Sequence, residues 1–119
     1  MGEHLRRVRL ERGLWQKHLA REFGCSTATI QNYEQGRTAP ELRHWPAILR
    51  FLGFDPRPEP SSWPARLRHL REGRGLTQGE LAALLGIDIR TANAWENGRN
   101  RPRLAGRVAK AVKDFLGER

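Results

Sequence analysis

Displaced by 62 residues, the chain overlies itself: residues 5–40 align with residues 67–102 without a gap, and 15 of the 36 pairs are identical. The identities include Arg9 with Arg71, Gly13 with Gly75, Gln16 with Gln78, Leu19 and Ala20 with Leu81 and Ala82, and Gly24 with Gly86. They continue through Thr29 with Thr91, Glu34 with Glu96, Gly36 and Arg37 with Gly98 and Arg99, and Pro40 with Pro102. Such a repeat restricts the 119-residue chain to two copies of one small unit. The register then slips by two, so that Phe51, Leu52 and Gly53 answer Phe115, Leu116 and Gly117. Between the copies runs DPRPEPSSW, Asp55 to Trp63, whose prolines and serines mark an extended, semi-rigid linker. The expected division is therefore 1–54, a linker 55–63, and 64–119. A unit of this size buries only ~60% of the surface its unfolded chain exposes, so each half is marginal alone.

Charge and cysteine usage exclude several classes. With 22 Lys plus Arg against 13 Asp plus Glu, the formal net charge is +9, which asks for a polyanionic partner, nucleic acid first. Arginine-rich coding bias explains such an excess equally well, so the positions of the charges must decide. The single Cys25 cannot form an internal disulfide, which fits a reducing cytoplasm. The longest apolar stretches fall far short of the ~20 residues that span a bilayer, so no membrane association is expected. Charges interrupt the first residues before a secretory apolar segment can form, and Arg6 stands where a myristoylation signal needs Ser or Thr.

Every segment reads as helix, so the fold class is all-α. Leu5 and Val8, like Leu67 and Leu70, lie on one helical face, and Gly13 and Gly75 supply stops. A second short helix carries Leu19 and Phe23, or Leu81 and Leu85, four apart, and ends at Gly24 or Gly86. Ser26 and Asp88 are good N-caps for a third, carrying Ile30 and Tyr33 or Ala92 and Trp95. Helix, glycine turn and capped helix at this spacing form the plan of a helix-turn-helix, with Ala20 and Ala82 small enough for the close crossing.

The stretches GLWQKHLAREFGCSTATIQNYEQGRTAP and GLTQGELAALLGIDIRTANAWENGRNRP resemble the phage-repressor and Cro type of helix-turn-helix domain, the XRE family. The resemblance covers nearly the whole chain. It implies two tandem five-helix domains, each with its third helix in the major groove of DNA, and with the fourth and fifth helices supplied by Pro40 to Gly53 and Pro102 to Gly117. It further implies that Arg9 pairs with Glu34, and Arg71 with Glu96, across each core. Removing one partner of such a buried pair costs ~3 to 5 kcal/mol. Two departures stand out. Trp15 occupies the place of the capping Thr or Ser that Thr77 fills, and the Ile30–Tyr33 pair becomes Ala92–Trp95, a compensated change of core volume.

Base reading is expected from the exposed N-terminal part of each third helix: Thr27, Ala28, Gln31 and Asn32 in the first copy, and Ile89, Arg90, Asn93 and Ala94 in the second. Gln and Asn pair with adenine N6 and N7, Arg pairs with guanine O6 and N7, and Thr, Ala or Ile touch a thymine methyl. Phosphate contacts are expected from Gln16, Lys17 and Gln78 at the start of the second helices, and from Arg37, Arg99, Arg101 and Arg103 after the third. The two reading sets share almost nothing, so an asymmetric duplex site of two unlike halves is expected. A fully extended link from Gly53 to Pro64 reaches at most ~36 to 40 Å, enough for half-sites one helical turn apart. Monomer and homodimer stay open.

No enzyme, metal or cofactor is expected. His4, His18, His44 and His69 are scattered singly, without a Cys or carboxylate at zinc spacing, and no phosphate-cradling glycine loop or nucleophile elbow occurs. Because the sequence stops two residues past Gly117, control by concentration or a protein partner is expected rather than by a small molecule. The expected function is a cytoplasmic, sequence-specific double-stranded DNA-binding regulator, a repressor. The alternative is an antitoxin or adaptor whose main role is protein–protein interaction.

Overall fold

A computed structural model describes residues 1–99 and 106–117. The chain divides into two compact units, Met1–Pro58 and Glu59–Arg119, each built from helices.

Unit 1 contains α1 (Gly2–Glu11), α2 (Gln16–Phe23), α3 (Thr27–Glu34), a 3-10 turn (Leu42–His44) and α4 (Trp45–Leu52). Its core is one cluster in which Leu5, Leu19, Ile30 and Ile48 are fully buried. Phe23 and Phe51 meet edge to face within it, ring centroids 6.1 Å apart. Of the five expected helical segments, the fourth is thus a single 3-10 turn, and α4 begins only at Trp45. The reason is local. Pro46 favours the first turn of a helix, where its missing N–H is harmless, while Tyr33 holds the turn before it by accepting the Glu41 N–H at 3.0 Å.

Among the described residues unit 2 contains α5 (Trp63–Gly73), α6 (Gln78–Leu85), α7 (Ile89–Glu96) and α8 (Gly106–Leu116); the start of the fourth segment, expected from Pro102, lies outside them. Leu67, Leu81, Ala92 and Val112 lie at the centre of its cluster. The Ala92–Trp95 exchange uses its space differently from Ile30–Tyr33. Trp95 is buried edge-on against Trp63, centroids 5.9 Å apart, whereas Tyr33 aims its hydroxyl at His44 Nδ1, 2.8 Å away.

The expected linker is not all free. Phe54 stands edge-on to His4, and Arg57 stacks on Trp45 with its guanidinium carbon 5.1 Å from the ring centroid. Arg57 also forms two hydrogen bonds to the Asp55 carboxylate, at 3.0 and 2.8 Å. Residues 54–57 therefore belong to the surface of unit 1. The stretch that can extend toward unit 2 starts at Arg57, and its six virtual bonds to Trp63 reach at most ~20 to 22 Å rather than the ~36 to 40 Å expected from Gly53 to Pro64, so the tether alone no longer spans the ~34 to 36 Å of one helical turn.

Candidate nucleic-acid interface

In each unit a tight turn aims the third helix. Gly24 and Gly86 adopt left-handed φ angles of 70° and 71°, which lets the next residue bond back: Cys25 N–H to Ala20 C=O, and Ile87 N–H to Ala82 C=O, both at 2.9 Å. Ser26 then caps α3 by accepting the Thr29 N–H at 3.1 Å, and Asp88 caps α7 by accepting the Arg90 N–H at 2.8 Å. Ala20 and Ala82 are buried on the second helices.

Thr27, Ala28 and Gln31 are exposed and Asn32 is half-buried on α3. Ile89 and Arg90 are exposed on α7, with Asn93 and Ala94 half-buried. Arg37 and Arg99 follow Gly36 and Gly98, and their backbone N–H groups bond to Asn32 and Ala94 carbonyls at 2.9 Å. Ile89, Arg90, Asn93, Ala94 and Arg99 together line one open concavity, so the structure brings four expected base readers and one expected phosphate ligand to a single surface. Arg101 and Arg103 lie outside the described residues.

Arg9 and Glu34 form a buried two-pronged pair, Nε to Oε2 at 2.6 Å and Nη2 to Oε1 at 2.9 Å. Arg71 and Glu96 repeat it at 2.6 and 3.1 Å. Each Arg also donates to a loop carbonyl, Leu14 or Leu76, which fastens the connection ahead of the second helix. The hydrogen bond to Glu34 pushes Arg9 above its ordinary range, so the guanidinium stays charged.

These pairs extend to the interface, a connection the sequence reading lacked. Gln16 Nε2 donates to Glu34 Oε1, and Gln78 Nε2 to Glu96 Oε1, each at 3.2 Å. One amide hydrogen of each Gln is committed inward, leaving the other outside this bond. In unit 2 the chain runs on, for Gln78 Oε1 accepts Asn93 Nδ2 and Asn93 Oδ1 accepts Asn97 Nδ2, both at 3.2 Å. Arg68 adds a second cation to Glu96, Nε to Oε1 at 3.5 Å. Asn93 is thereby fixed in direction before any ligand arrives. The Gln-to-Glu link spans 18 residues and has no local signature, whereas the Asp88-to-Arg90 spacing was open to inspection.

At the start of α2 the missing hydroxyl cap is partly replaced. Trp15 N–H donates to His18 Nδ1 at 2.9 Å, the half of a capping box that Glu80 performs for Thr77 at 3.0 Å. The Trp15 indole is 64% exposed, and Lys17 Nζ lies 4.6 Å from its centroid. Among the described residues no group of His, Cys, Asp and Glu is arranged to hold a metal ion, and no helix is long and apolar enough to cross a membrane.

A helix-turn-helix domain profile matches residues 1–60 and again residues 65–116. No curated protein and no solved structure matches the chain.

Proposed function

The chain belongs to the helix-turn-helix domain family, and from that premise we propose that it is a sequence-specific double-stranded DNA-binding transcriptional repressor of the phage-repressor type, acting in the cytoplasm. The observation that carries the reading is the concavity of unit 2. There the exposed Arg90 and the pre-set Asn93 share one surface with Arg99, all mounted on a frame locked by the buried Arg71–Glu96 pair. Donors able to read base edges thus stand beside a cation able to bind the sugar-phosphate backbone.

Roles divide accordingly. Thr27, Ala28, Gln31 and Asn32 read one half-site, and Ile89, Arg90, Asn93 and Ala94 the other. Lys17, Arg37, Arg99, Arg101 and Arg103 bind phosphates, assisted by the outward amide hydrogens of Gln16 and Gln78. Because the two reading faces differ at every position, the site is asymmetric; one chain occupies it, with half-sites whose facing edges lie within the ~20 to 22 Å reach of the tether.

Selection of bound duplexes from a random pool, followed by affinity measurements over a range of salt, tests this. One preferred sequence is expected, with a log–log salt slope of about −5 to −9, corresponding to ~6 to 10 phosphates contacted. Equal affinity for all duplexes, or a slope near zero, overturns the reading. A perfect palindrome bound by two chains overturns the asymmetric monomer alone.

A further inference from the structure

The two units diverge most sharply where the third helix opens. Unit 1 has Ser26 as its cap and Ala28 two residues on; unit 2 has Asp88 and Arg90. Asp88 Oδ1 accepts the Arg90 backbone N–H at 2.8 Å and the Arg90 side-chain Nε at 3.1 Å. A single oxygen therefore caps α7 and draws the guanidinium back over the first turn of the helix. With side chains 90% and 53% exposed, Arg90 and Asp88 form a surface pair of a kind that contributes little to folding.

A carboxylate on a face meant for phosphates lowers affinity for every sequence, and Ser26 shows that an uncharged cap serves the same turn. The charge is explained if it serves choice rather than strength. We propose that Asp88 is a positioning residue that presents Arg90 end-on to a guanine in the major groove, so that the half-site read by unit 2 carries a G·C pair at that step. This rests on the DNA-reading role proposed above. With Nε engaged by Asp88, the donors left to Arg90 are those on Nη1 and Nη2, the pair that matches guanine O6 and N7. The second oxygen, Asp88 Oδ2, is an acceptor suited to the N4 amino group of a neighbouring cytosine and is repelled by a thymine O4 in its place. Unit 1, with Ser26 and Ala28, has neither feature. The hydrogen bond from Arg90 holds the Asp88 carboxyl below its ordinary range, so the pair stays ionised at neutral pH.

The test uses the full chain and its Asp88→Ser variant, which copies the cap of unit 1. The probes are the selected duplex and the same duplex with 7-deazaguanine, which lacks N7, placed at each guanine of that half-site in turn. In the wild type one substitution weakens binding by about ten-fold. In Asp88→Ser that penalty falls below about three-fold while affinity for unrelated duplex rises, a combination that damage to the fold does not produce. Asp88→Asn, which keeps an oxygen in place, recovers most of the discrimination. The inference is overturned if no 7-deazaguanine costs the wild type more than about two-fold, or if Asp88→Ser retains the full penalty. Either result leaves sequence-specific binding standing. Absence of any preferred duplex for the wild type overturns both.

Discussion

His44 is the side chain whose state the fold controls most tightly. Only 2% exposed, it shares a hydrogen bond with the Tyr33 hydroxyl through Nδ1, 2.8 Å away. Its Nε2 is buried with no hydrogen-bond partner, the Glu41 carboxylate being 3.8 Å away. Burial, aided by the Arg43 charge, holds the imidazole below its ordinary pKa. The unfolded chain then binds more protons than the folded one, so this contribution to stability is complete above the unfolded value of about 6.5 and is lost as pH falls below it. Unit 1 should lose thermal stability as pH falls below about 6.5, and His44→Asn, which offers an acceptor but does not titrate, should flatten that dependence. An equally steep loss in His44→Asn would assign the dependence elsewhere. In the sequence His44 is one of four isolated histidines. Nothing local announces that Tyr33, eleven residues away, will bond to it, because that contact exists only once α3 and the 3-10 turn pack together.

At the level of elements, the second and third helices were readable because their signals are short-range. Leu19 and Phe23, Gly24, and Ser26 specify a face, a stop and a cap within eight residues, and Leu81, Leu85, Gly86 and Asp88 repeat the pattern. The Gln16 and Gln78 links to the buried carboxylates were not readable, since they depend on how two helices cross. The helix starts also show what Trp15 costs. Its backbone already has a cap's extended geometry, φ −96° and ψ 161°, but it lacks a side-chain acceptor for the first free N–H groups. Thr77 accepts the Glu80 N–H at 3.1 Å in the matching place. Trp15→Thr should therefore raise the stability of unit 1 by about 0.5–1 kcal/mol, and Thr77→Ala should lower that of unit 2 by about 1 kcal/mol, both readable in chemical denaturation. A destabilised Trp15→Thr would show instead that the stacking of Lys17 on the indole outweighs the cap.

For the whole molecule, duplication with divergence separates what is kept from what is varied. The Arg–Glu pair, the inward Gln and the small Ala recur in both units, while every residue on the two expected reading faces differs. One frame thus carries two different exposed helix faces. On the proposed reading, how far apart their half-sites may lie follows from Arg57. Because its stack on Trp45 and its bonds to Asp55 fasten the chain to unit 1 as far as residue 57, the tether starts late. With Trp63 as the common end, shortening the reach from ~33–36 Å to ~20–22 Å shrinks the volume that the second unit can search by about five-fold, and its local concentration beside the first rises by the same factor. Arg57→Ser should release the hold, lowering the advantage of a two-half-site duplex over a single half-site by up to about five-fold while leaving single half-site affinity unchanged. An unchanged advantage would mean that the leash is not what sets it. On the proposed reading, half-sites displaced by half a turn of the duplex, about five base pairs, should bind hardly better than one half-site alone, because a tether of at most ~20–22 Å must then pass around the helix.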